Sequence, residues 1–513
     1  MHPPTMSNKQ TQTSLSGTDF GSADDSASMR TLFEDARTYQ LSAPMEANES
    51  QANESVDAAP NEKEAAIVDW SGPNDPENPQ NFPRWRKWTI TIMLGLMTIC
   101  VTFASSVFST ATKVTGKKFH VSSEVMVLAV SLFVLGFAFG PVIFGPLSEL
   151  HGRKKPLFNL QTIFICRFLG GVFASAPLAI VSGVLGDMFE PVERGIAMSI
   201  FASATFVGPV AGPIVGGFVV ISFLGWRWTE YITAIWAFAF SAIGLFVIPE
   251  TFEGTILTQR AKRQRVETGN WALHARAEEK VVSLRDIMTR YILRPFQMLA
   301  LEPILLLVTL YVGFIYGFLY ITFVAYPISF QEQREWDEGV GALPFIAIIC
   351  GVFVGCLIIV AFSVTRYREI IRRTGIVSPE ERLIPMAIGG IFLPIGMFWF
   401  GWTSSPSISW VPQVISGSFL GAGVLLIFLQ GLNYIVDVYP MYTNSAIAAN
   451  SLFRSLLGAG FPLFASAMFH NLGVNWAMTL LGCLTTLLFP VPIVFFIYGP
   501  KIRSWSKFSV KNG

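Results

Sequence analysis

Residues 145–171 read "GPLSELHGRKKPLFNLQTIFICRFLGG". A glycine-bearing charged turn lies between two apolar runs, and Arg167 sits just inside the second. Apolar runs of about 20 residues cross a bilayer as helices, and charged turns between them stay in water. Working outward, the same alternation fills most of the 513 residues, of which 52% are hydrophobic and 14% charged, with mean hydropathy +0.50. Soluble domains carry about 25% charged residues. The chain therefore reads as an all-α polytopic membrane protein.

Eleven apolar segments can be recognised, at approximately 90–108, 125–144, 163–185, 196–219, 231–248, 304–323, 341–362, 383–400, 411–436, 444–469 and 476–498. They imply an N-terminal bundle over 83–249, a connector over 250–300 and a C-terminal bundle over 301–500. The connector holds nine Lys or Arg against six Asp or Glu. Residues 1–82 are polar without apolar periodicity and are expected to form a disordered cytoplasmic tail, because they offer too little surface to bury. The segment 501–513 is a short polar tail. Basic residues concentrate in the "GRKK" turn, the connector, Arg366–Arg373 and the C-terminal tail, which assigns these to the cytoplasm; Lys113, Lys117 and Lys118 are exceptions. All five cysteines lie in apolar segments and read as buried small residues rather than a disulfide framework. No metal-ligand spacing or phosphate-binding loop is present, so no cofactor is expected, and nothing points to a nucleic-acid partner.

Three motifs carry a resemblance to the major facilitator superfamily, more closely to its fungal drug:proton antiporters with twelve spans. The first is Gly145, Leu147, Ser148, Glu149, Gly152, Arg153 and Lys154, which matches the superfamily's loop between spans 2 and 3. With Asp187 these residues would form a cytoplasmic gating network. The second is "FVGPVAGPIVGGF", carrying Gly208, Pro209, Gly212, Pro213, Gly216 and Gly217, which resembles the fifth-span motif associated with antiporters. The third is Arg167 with Gly171 and Ser175, the fourth-span pattern implicated in proton coupling. "PETF", "PEERL", "GLNYIVDVYP" and "ANSLFRSLLGAGFPLF" resemble further family stretches. In "FVAYP" relatives often carry an acidic residue where Val324 stands, so that carboxylate is absent here.

Polar groups inside lipid-length spans are costly and nominate a substrate pathway. Tyr316 and Tyr320 share a helix face, and Gln430, Asn433 and Asp437 fall about one turn apart. Glu302 and Arg454 read as span-end groups, as suited to structure as to coupling. The resemblance implies two six-helix bundles and proton-coupled export of small organic molecules, such as a toxin, secondary metabolite or drug. Partners would be the substrate, protons and the bilayer, with the chain a monomer in the plasma membrane. A polyamine exporter, a nutrient symporter and a non-transporting relative are the alternatives.

Residues 145–171 carry one anomaly. "GRKK" belongs after span 2 and "CRFLGG" to span 4, yet Pro156 to Phe189 offers only 34 residues. Two spans and a turn need upwards of about 40. The third span is therefore expected to be missing, with a junction near Phe158 and Asn159. Both termini are cytoplasmic if that span is restored.

Overall fold

The computed structural model describes residues 66–120, 122, 126–139, 167–279, 289, 293–374 and 377–508. Every one of the eleven apolar segments is helical within those residues. The N-terminal bundle contains α1 (Arg84–Ser106), α2 (Met126–Phe139), α3 (Arg167–Met188), α4 (Pro191–Ile221) and α5 (Arg227–Val247). The connector contributes α6 (Glu253–Thr268). The C-terminal bundle contains α7 (Pro303–Tyr326), α8 (Phe345–Phe362), α9 (Leu383–Trp402), α10 (Trp410–Val438), α11 (Thr443–Leu488) and α12 (Pro490–Trp505). α11 breaks at Gly473, whose φ of 76° suits glycine. Its first limb is one span, and its second limb continues into α12 as the last. The proposed junction at Phe158 and Asn159 lies outside the described residues.

α4 shows how an apolar sequence with two internal prolines stays helical. Pro213 has no N–H for the Pro209 carbonyl. The Ser106 hydroxyl of α1 donates to that carbonyl instead, at 2.6 Å. Side chains from neighbouring helices commonly re-satisfy backbone freed by proline in membranes. Gly208, Gly212 and Gly216 make the approach possible. A Cβ on any of them would overlap a hydroxyl oxygen of α1 or the turn after it: Thr102, Ser106 and Thr110 respectively. Glycines at i, i+4 and i+8 thus form a groove for small polar residues at the same spacing.

Opposite ends of the bundle can be told apart by what meets there. Arg84 at the start of α1 pairs with Glu193 at the start of α4, and Ile248 after α5 packs with Ile90, Met188 and Phe189. This is the connector end. At the far end Phe108, Val130 and Val220 cluster beside Met126 and Trp226.

Residues 66–82, expected to be disordered, are ordered. Asp75 accepts from the Ser71 and Glu77 amides, and Asn78 caps a short turn by accepting from the Gln80 amide. Val68 packs with Leu257, Ala261 and Ala275, beside Trp70 and Leu273. Ile67 forms an isolated bridge with His274. A few apolar residues and a guanidinium clamp, not apolar periodicity, order this segment.

Candidate functional site

The two bundles meet along several lines. Phe206 of α4 packs edge-on against Phe428 of α10 with centroids 4.8 Å apart. A Cβ on Gly217 would overlap the Glu338 carbonyl, and Gly195 approaches Ser363. Three-quarters of the way along α7, Tyr320 shares a 2.9 Å hydrogen bond with Ser105 of α1, linking one bundle to the other. Its hydroxyl lies 3.5 Å from that of Tyr316. The pairing of Tyr316 and Tyr320 expected from their spacing is therefore present, and Ser105 joins them.

Arg454 completes this centre, although the sequence alone places it at a span end. It lies eleven residues beyond Thr443, where α11 starts, deep in the packed interior, and is only 7% exposed. Its guanidinium stands 4.9 Å from the Tyr316 ring and 4.8 Å from the Phe428 ring. No hydrogen bond or ion pair reaches it among the described residues, and its Nε is buried without a partner. Cation–π contacts of a desolvated arginine contribute roughly 2 kcal/mol each. Desolvating a charge costs roughly several kcal/mol, so two rings only partly offset the burial.

Above this centre, towards the far end, lies a cavity of about 370 Å³. Tyr320, Phe323 and Val324 line it, with Lys113, Glu332 and His470. Glu332 accepts from Lys113 Nζ at 2.8 Å and lies 2.9 Å from His470 Nε2, bridging the two bundles. Val324 is thus a cavity residue.

The other proposed pathway residues are not brought together. Gln430 is two residues past Phe428, on the opposite face of α10. Tyr434, one turn further, stacks on Phe495 of α12. Asn433 is partly exposed. Asp437 is at the connector end, where it accepts from Arg382 Nε at 2.9 Å. That end also holds the Arg366–Glu381 pair and the buried Arg503–Glu380 pair. Glu302 is structural: it accepts from the Tyr439 hydroxyl and from the Lys507 and Phe508 amides, pinning the C-terminal segment.

Of the expected gating motif only Asp187 is described, accepting from Thr251 Oγ1 at 3.3 Å. Gly145, Leu147, Ser148, Glu149, Gly152, Arg153 and Lys154 lie outside the described residues, as does the Arg167 side chain; the Arg167 backbone opens α3. Beneath the N-terminal bundle, Arg260 of α6 donates to Asp75 and holds its carboxyl down at about 2.

The chain's sequence matches the family model described as Major Facilitator Superfamily over residues 156–461. It is 52% identical over 463 residues to the citrinin biosynthesis cluster MFS transporter mrr1 of Monascus ruber, covering 87% of this chain and 93% of that one. It is 50% identical to the ascochitine biosynthesis cluster MFS transporter of Didymella fabae, covering 87% and 90%. Among solved structures it resembles the proton:xylose symporter XylE, with TM-score 0.57 and 15% identity, covering 81% of this chain and 96% of that one. Human MFSD10 gives TM-score 0.54 at 14% identity, covering 80% and 100%. These two likenesses establish the fold alone. With apolar helices throughout the described residues, two bundles meeting at a central aromatic contact and relatives alike over most of the chain, this protein is a multi-pass membrane transporter of small molecules and belongs to the major facilitator superfamily.

Proposed function

We propose that this chain exports a small organic secondary metabolite by alternating access, with protons moving inward in exchange. The observation that carries this reading is the similarity, over 87% of the chain, to transporters named for the citrinin and ascochitine biosynthesis clusters. The geometry is in keeping with it: two bundles meet at Ser105 and Tyr320, below a cavity whose walls come from both. The far end is then extracellular and the connector end cytoplasmic, in a monomer of the plasma membrane. Proton coupling rests on the resemblance at Arg167, and gating on residues 145–154 with Asp187.

The missing third span remains part of this reading. α2 runs from the far end towards the connector end, while α3 begins beside it, so close that a Cβ on Gly171 would overlap the Phe133 carbonyl. Residues 140–166 must join the two, and they include the charged "GRKK" turn. A full span of about 20 residues with its return is hard to fit there. Reading the transcript across Phe158 and Asn159 tests this; a continuous message encoding these residues removes a misread exon boundary as the cause.

The decisive functional experiment is efflux of a labelled panel of small organic compounds from cells expressing the protein, with and without a protonophore. Protonophore-sensitive retention differences are expected for at least one compound. Their absence across the panel would overturn proton-driven export.

A further inference from the structure

We infer that Arg454 is the docking group for an anionic function on the exported molecule, so that the preferred substrates are aromatic or conjugated carboxylates. The inference deepens the export reading and rests on it. A guanidinium buried to this degree is ordinarily matched by a carboxylate. Among the described residues none is within ion-pair reach, and the buried Nε has no acceptor. Tyr316 and Phe428 instead present rings to it at 4.9 and 4.8 Å. Such a site has donors to spare and flat apolar surface beside them. A planar guanidinium binds a carboxylate through two parallel N–H donors, and the attached aromatic body would pack against the flanking rings. A cationic molecule would face like charge, and a neutral one would leave the guanidinium unmatched.

The location fits a transported ligand. Phe428 touches Phe206 of the opposite bundle, and Tyr316 lies beside Tyr320, which lines the far-end cavity and bonds Ser105. Tyr320 stands between that cavity and Tyr316, which in turn faces Arg454. Val324 presents an apolar side chain to that cavity, and the Glu332 carboxylate in its wall is paired with Lys113 and His470.

The test uses the purified full chain in nanodiscs and three probes with one ring system: 1-naphthoate, 1-naphthamide and 1-naphthylmethylammonium. Binding is read by scintillation proximity with tritiated probes. Naphthoate is expected to bind at least tenfold more tightly than the amide, with the ammonium weakest. Arg454→Gln should weaken naphthoate at least tenfold while holding the amide within threefold, and Arg454→Lys should recover part of the loss. Phe428→Leu keeps the charge and should weaken naphthoate and amide alike, preserving the preference. The inference is overturned if the wild type fails to bind naphthoate, if it does not discriminate by charge, or if Arg454→Gln weakens both probes equally. Where the Gln variant does not fold, Phe428→Leu carries the test: naphthoate and amide binding both unchanged in that variant overturns the inference, because the probe is then held away from the rings that flank Arg454. Charge-selective binding without protonophore-sensitive efflux would sink the export reading and leave the docking role standing.

Discussion

At the residue scale, Arg454 interrupts the run "ANSLFRSLLGAGFPLF", ten residues into the apolar segment 444–469. That position is the available sequence signal for a central group. An apolar window registers nearness to a span end and not depth within a bundle, so the signal is easily passed over. Tyr316 and Tyr320 are legible because a four-residue spacing on a helix suffices to pair them. The surroundings of Gln430 and Asp437 are not legible, because spacing cannot tell which neighbour a helix face meets: Gln430 is fully buried with its amide unpartnered among the described residues, and Asp437 meets Arg382. Asp75 offers a prediction with a defined sign. Its folded-state acidity is raised by the Arg260 donor, so its contribution is present above the unfolded value near 3.8 and is lost as pH falls through about 2. Limited proteolysis at pH 4 should therefore leave residues 66–82 protected in the wild type, while Asp75→Asn should be cut there several-fold faster at pH 7 as at pH 4.

At the element scale, α1 and α4 form one unit, and each member carries what the other lacks. Ser106→Ala leaves the Pro209 carbonyl without its donor, a loss of about 1–3 kcal/mol for a buried acceptor. A lowered melting temperature in detergent, with the variant still inserted in membranes, is the expected result. Gly212→Leu is more severe, since even a Cβ would press on Ser106; loss of monodisperse protein on size-exclusion chromatography checks it. The motif's glycines and prolines are legible as a close helix contact. Its partner is not, because Thr102, Ser106 and Thr110 look ordinary within an apolar segment until the fold aligns them.

At the scale of the whole molecule, the bundles are joined at the far end by Glu332, which pairs with Lys113 of the N-terminal bundle and with His470 of its own. Each is a partly exposed pair worth about 0–1 kcal/mol, so neither locks the transporter. Glu332→Gln should shift the population towards the state open at this end, read as increased labelling of a cysteine placed at Ser109 by a membrane-impermeant maleimide. Helix order is legible from hydropathy alone, since lipid allows little besides helices. Order in residues 66–82 is not, because it depends on one buried ion pair and four apolar side chains.

That ordered segment has a mechanical consequence. Asp75 and Glu77 reach Arg260 and Arg263, Trp70 reaches Glu253, and the Ile67–His274 bridge fastens the return of the connector. α6 is therefore strapped to the chain just before α1 and rides as cargo on the N-terminal bundle. The tether between the two bundles is then measured from Glu279 to Arg294 rather than from the end of α5, and this shorter length sets the limit on how far the proposed alternation can swing them apart.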